Sequence, residues 1–172
     1  MTGKAKLQKA IRHEEAPLLI DIGGCSTTGI HCSMVEKLRD YYGLEKRPVV
    51  IEEPMQMLGA VEDDLKQAMG IQTASVTGDR NIFGFRQQDF REYRTPWGQV
   101  VLVPAEFQTD ITPEGDVLLY ARGDRGHAPS ARMPASGFFF DTIERAGKFD
   151  EDTYNVEDNF EEFGPVSQQT LE

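Results

Sequence analysis

Leu18, Leu19, Ile20 and Ile22 form a nearly continuous apolar run, interrupted by Asp21. Closed by Gly23 and Gly24, it predicts a short buried strand of the parallel kind, followed by a sharp turn. Ser33 and Glu36 stand in an S-x-x-E capping box, which predicts a helix starting at Ser33. Val35, Leu38 and Tyr41 or Tyr42 share one face of that helix, and Gly43 supplies the stop. Pro48 to Ile51 reads as a second strand. Pro54 suits the first turn of a second helix, with Met57, Leu58, Val61, Leu65 and Ala68 as its stripe and Gly70 at its end. Ile71 to Val76 is a third expected strand. Ahead of them, Leu7, Ala10 and Ile11 fit one face of a short helix.

The pattern changes near Ile82. Phe90 to Arg122 reads as antiparallel β: Phe90, Glu92 and Arg94 alternate in side with Arg91, Tyr93 and Thr95, and Gln99–Val103, Glu106–Ile111 and Asp116–Arg122 are β-rich runs. Thr95-Pro96-Trp97-Gly98 and Thr112-Pro113-Glu114-Gly115 share one turn form. Proline presets the first central position, and glycine accepts the left-handed position that follows. A meander results. Gly123 to Ser136 reads as a loop, Phe138 to Phe140 as an aromatic run, and Asp141 to Ala146 as a brief helix-like piece. Tyr154, Phe160 and Phe163, spaced among acids, are expected to anchor the tail where it wraps over the body, and Ser167 is placed to cap a further helix.

The chain has 172 residues and 39% apolar composition, enough for one domain, or one and a part, with its own core. Its net charge of −11 argues against nucleic acid and anionic membranes as partners. From Asp150 onward there are eight acidic residues and no Lys or Arg, which leaves −3 for the rest. That tail is either a solvated surface segment or a partner-binding one. Cys25 and Cys32 make no disulfide framework, and the N-terminus has no apolar signal core. No run approaches the ~18 apolar residues of a membrane span. A reducing, cytoplasmic setting is the expectation.

In strand-loop-helix units the chemistry sits in the loop after the strand. That loop, Gly23 to Cys32, holds Cys25, His31 and Cys32, which are zinc-ligand types. No fourth ligand is evident, and no metal site is assigned. A thiol activated by His31 is one alternative; packed thiols with a locally bonded His31 are the other. Ser26, Thr27, Thr28 and Gly29 offer hydroxyls and amides to an anionic group, without the lysine of a phosphate-binding loop. Asp21 is the candidate for proton chemistry or substrate orientation, since apolar walls would raise its pKa; its alternative is to cap the turn. His31 joins it as a catalytic candidate. Gly23, Gly24, Thr27 and Thr28 are candidate substrate contacts. So is Arg132, set between Pro129 and Pro134, either gripping a carboxylate or forming a surface ion pair.

Several ordered segments carry a family resemblance: DIGGCSTTGIHCSMVEKL, EEPMQMLGAVEDDLKQAMGI, the Phe83-Gly84-Phe85-Arg86 and Thr95-Pro96-Trp97-Gly98 region, PSARMP and DNFEEFGPVS. Together they resemble the N-terminal part of the uroporphyrinogen decarboxylase superfamily, and its methyltransferase-related branch more than the haem-pathway enzyme. The resemblance implies a (β/α)8 TIM barrel. In the methyltransferase branch, zinc activates a thiol and a methyl group moves between a corrinoid protein and that acceptor. The decarboxylase branch binds an acidic tetrapyrrole without a cofactor. Its arginine-rich segment is missing where GGCSTTGIH stands, which weakens a porphyrinogen substrate. The family's zinc ligands fall beyond this chain, so zinc and corrinoid belong to the full-length branch and neither is expected here.

The expected fold is therefore α/β: the N-terminal part of a (β/α)8 TIM-barrel-type protein with an inserted antiparallel β-meander. Residues 1–81 supply strand-loop-helix units, 82–140 the meander, and 141–172 the acidic tail and the start of a helix. A closed barrel needs about 250 residues. The expected partners are thus a C-terminal barrel half or a second copy, with a corrinoid protein as a further one. The expected function is that of a methyltransferase fragment with little turnover of its own, Asp21 and His31 orienting substrate at the barrel mouth. The alternatives are a partner-binding module and a cofactor-free decarboxylase of an acidic substrate.

Overall fold

Two turns of one design shape the β-structure. Gly98 and Gly115 take φ of 89° and 91°. Gly98 N donates to Thr95 O and Gly115 N to Thr112 O, both at 2.9 Å. Each turn closes a hairpin, as the Pro-x-Gly pattern requires. The computed structural model describes residues 1–76 and 78–144. Among them are helices α1 (Gly3–Ile11), α2 (Cys32–Tyr41) and α3 (Asp63–Met69). The strands are β1 (Val49–Glu53), β2 (Leu58–Gly59), β3 (Arg91–Arg94), β4 (Val100–Val103), β5 (Gln108–Ile111), β6 (Val117–Tyr120), β7 (Ala131–Met133) and β8 (Asp141–Thr142).

They form two four-stranded sheets, ordered β2-β1-β4-β3 and β5-β6-β7-β8. The ladder between β1 and β4, with Val49 opposite Val101, is parallel. Every other ladder among the described residues is antiparallel. This overturns the expected barrel. A (β/α)8 barrel repeats parallel strands joined by crossover helices, whereas hairpins make most of the connections here. The meander is also divided: β3 and β4 join β1, while β5 to β8 form a sheet of their own. The 81/82 boundary is crossed by the β1–β4 ladder.

The core lies between the sheets and under α2 and α3. Val35, Ile51, Leu65, Val101, Val103 and Leu119 are buried in it. Fully buried Phe107 joins the sheets, its ring 5.1 Å from Tyr93, 6.0 Å from Phe85 and 6.2 Å from Phe140. Tilted aromatic contacts of this kind add to area burial.

Several elements differ from expectation. Leu18–Ile22 is not a strand, and Leu18 is 81% exposed. The helix from Pro54 does not form: Glu53 accepts from Met55 N and Gln56 N, both at 2.8 Å, but Met57 then turns left-handed at φ 53°. A left-handed residue cannot continue a right-handed helix, so Leu58–Gly59 pairs with β1 and the helix waits until Asp63. Ile71–Val76 is irregular, the Gly123–Ser136 loop contains β7, and Asp141–Thr142 is strand rather than helix. The expected tail anchors and the cap at Ser167 lie outside the described residues. No helix among the described residues is long and apolar enough to cross a membrane.

Candidate functional site

Helix α2 begins one residue earlier than the capping box predicts, because its N-cap is His31. The imidazole Nδ1 accepts from Ser33 N at 3.2 Å and lies 2.8 Å from Ser33 Oγ. With Nδ1 an acceptor, the proton sits on Nε2, which donates to Phe138 O at 2.9 Å. The ring also rests 5.2 Å from Trp97 and 6.1 Å from Phe138. His31 thus ties the start of α2 to the segment between β7 and β8. Both nitrogens are committed to hydrogen bonds, Nδ1 locally to Ser33 and Nε2 across the chain to Phe138, so only the first matches the locally bonded alternative for this residue.

Cys32 follows inward and is fully buried. Its thiol donates to Gln99 Oε1 at 3.4 Å, and Gln99 Nε2 returns a bond to Cys32 O at 3.2 Å. Burial pushes the Cys32 thiol up to about 12. Cys25 is its opposite: exposed, with its thiol drawn below the ordinary value, first by the Thr28 hydroxyl. Cys25, His31 and Cys32 do not fit a zinc site, since one thiol is sealed in the core and both imidazole nitrogens are used. Among the described residues no group of three or more His, Cys, Asp or Glu could hold a metal ion.

The loop before α2 is braced from within. Asp21 Oδ1 accepts from Gly24 N at 3.1 Å and from Thr73 Oγ1 at 2.5 Å. Gly23 N donates to Thr28 O at 2.9 Å, and Cys25 N to Thr28 Oγ1 at 3.3 Å. Gly23 is buried at φ 79°, and a Cβ there would lie 2.8 Å from Val61 Cγ2. Only glycine fits that conformation and that space. Asp21 therefore caps the turn and holds the 71–76 segment beside it. Thr27 is exposed on the short 3₁₀ turn Ser26–Thr28.

This loop forms one wall of a cleft of about 410 Å3. Gly23, Cys25, Ser26 and Gly29 face Glu52, Gln56, Ser75 and Arg80 across it. The size falls within the range of small-molecule sites. Glu52 is half-buried, and its carboxylate makes no hydrogen bond among the described residues. Burial raises its pKa, with Lys66 opposing. Asp21, His31 and Arg132 do not line this cleft, so the structure does not gather the candidate site residues in one place. Arg132, on β7, donates from Nε to Asp116 Oδ2 at 2.6 Å and pairs through Nη2 with the same oxygen. Its alternative as an ion pair is the arrangement observed.

Another group was not singled out from the sequence. Arg39 is buried on α2, and all five of its N–H donors are used. Two go to Glu45 O, two to Asp64 and one to Glu62, at 2.8 to 3.3 Å. Arg47 adds bonds to Glu45, Glu62 and Asp64. One signal was available: Cys32, Val35 and Arg39 follow at helical spacing, which puts Arg39 on the buried face.

Compared with known proteins, the chain matches no family model, no curated protein and no solved structure.

Proposed function

We propose that this chain is a protein-interaction module that pairs with a second copy of itself through the segments Pro17–Ile22 and Gln72–Val76. The observation that carries the reading is the state of Leu18–Ile22. This run makes no backbone–backbone hydrogen bond with any described residue. Its side chains are apolar, and Leu18 and Ile20 are 81% and 37% exposed. Val76 on the neighbouring segment is 97% exposed. Backbone groups without a strand partner, beside apolar side chains, are what a strand edge offers to another strand.

Charge favours a second copy as the occupant. Asp21 is the one charged residue in the two segments, and it is bonded to Gly24 and Thr73. Two copies bring only one carboxylate each to that surface, although the chain carries −11. A two-fold axis lets one strand pair antiparallel with itself. Free thiols at Cys25 and Cys32 suit a reducing, cytoplasmic compartment.

Sedimentation across a concentration series tests the reading. Wild type is expected to dimerise, and Leu18→Lys with Ile20→Lys to stay monomeric. A wild-type chain that is monomeric at every concentration defeats it.

A second reading, part of a corrinoid-dependent methyltransferase, is supported by the superfamily resemblance and by the cleft at Gly23–Gly29. A corrinoid carrier protein is the partner it names, and titration with such a carrier tests it.

A further inference from the structure

Helix α1 has two unlike sides. Gly3, Lys6 and Lys9 face the body: a Cβ on Gly3 would lie 2.8 Å from Gln72 Cβ, Lys6 Nζ donates to Leu18 O and Lys9 Nζ to Glu15 O. Lys4, Leu7 and Ile11 follow at spacings of three and four on the other side. That side is open, with Leu7 46% and Ile11 69% exposed, and no residue of α1 is buried. The first thirteen residues hold four basic residues and no acidic one. Residues 150–172 invert this, with eight acidic residues and no Lys or Arg. Tyr154, Phe160 and Phe163 stand among those acids.

We propose that the acidic segment 150–163 of the same chain docks on the exposed face of α1, its carboxylates against Lys4 and Arg12 and its aromatics against Leu7 and Ile11. Charge complementarity selects this occupant. The rest of the chain, residues 14–149, mixes +14 from Lys and Arg with −21 from Asp and Glu, and its longest acidic run, Glu62-Asp63-Asp64, supplies two carboxylates to Arg39 and Arg47. Several exposed charges acting together give an attraction that salt weakens. The apolar pair supplies the part that salt does not remove. A latch of this kind is a separate matter from the self-pairing of Leu18–Ile22, and each can fail without the other.

Zero-length carbodiimide cross-linking of the full chain tests it, on an equal mixture of isotopically light and heavy protein. Lys4 is expected to join carboxylates within 150–162, in light–light and heavy–heavy products. The yield is expected to fall several-fold in Leu7→Asp with Ile11→Asp. Because those changes touch α1 itself, Phe160→Ser with Phe163→Ser is the companion variant, and the same fall is expected with α1 intact. Cross-links confined to Glu14 and Glu15, equal yields in wild type and both variants, or mixed light–heavy products would overturn the latch.

Discussion

Arg39 and Asp64 meet fork to fork, Nη1 to Oδ1 and Nη2 to Oδ2, both at 2.9 Å. The pair fastens α2 to the first turn of α3. Arg39 is 3% exposed, while Asp64 retains 34% exposure. A guanidinium sealed in this way depends on its partners, because it has no access to water.

Arg39→Ala is therefore expected to cost about 2–4 kcal/mol, below the top of the range for broken buried pairs because the acids can rehydrate. Arg39→Lys is expected to recover little, since an ammonium cannot reproduce the fork and the two bonds to Glu45 O. Urea unfolding of both variants checks this. A loss under about 1 kcal/mol for Arg39→Ala would mean that the network only decorates the surface.

The same pair sets a response to acid. The Arg39 guanidinium, aided by Leu65 N and Arg47, holds the Asp64 carboxyl below its ordinary value of 3.8. A depressed folded pKa contributes stability that is present above 3.8 and is lost as pH falls through the folded value. Unfolding midpoints should drop below about pH 4 in the wild type, and the drop should be shallower in Asp64→Asn. Equal acid slopes in the two proteins would remove Asp64 from the account.

His31 is expected to behave as a cap. His31→Ala should cost about 1–2 kcal/mol through the lost bonds to Ser33 N and Phe138 O. His31→Asn should restore part of it, because asparagine caps well. Nitrogen NMR of the imidazole should show the Nε2–H tautomer; the Nδ1–H form would contradict the capping geometry.

The two thiols should part in reactivity. Iodoacetamide at neutral pH is expected to modify Cys25, exposed and with its thiol drawn down by Thr28, and to spare Cys32, buried with a thiol near 12. Mass spectrometry reads both sites, and Cys32 should react only after unfolding. Labelling of Cys32 in the native chain would show that α2 opens readily.

Asp116 and Arg132 share an ion pair but not its importance. Asp116 is 10% exposed and also accepts from Ala135 N at 2.9 Å, while Arg132 is 57% exposed. Asp116→Ala should cost about 2 kcal/mol, since it strands a backbone donor. Arg132→Gln should cost less than about 1 kcal/mol. Thermal unfolding ranks the two, and a reversed order would give Arg132 a role beyond this pair.

Local chemistry made some of the fold legible in advance. The hairpin turns at Thr95–Gly98 and Thr112–Gly115 follow from residues adjacent in sequence. So do β1, β4 and β6, which stand out as short continuous apolar runs, and the end of α3 at Gly70. The Leu18–Ile22 run shows where such reading stops. Five apolar-rich residues fit a buried strand, yet strand formation needs a partner at hydrogen-bonding distance, and none is supplied by the described residues. The resemblance that implied a barrel passed over the same requirement.

The sequence by itself determined the two Pro-x-Gly turns, the apolar strand runs and the place where the acids gather; it set Tyr41 or Tyr42 on the inner face of α2, where the structure leaves both exposed and buries Arg39. Only the tertiary structure decided what those groups meet. It divided the meander between two sheets, turned Met57 left-handed, gave His31 to Ser33 and Phe138, and gave Arg132 to Asp116. The physical reason is range. Backbone preference acts within a few residues, whereas pairing, burial and charge partners come from contacts such as His31 with Phe138, whose cost and gain are settled only when the whole chain closes.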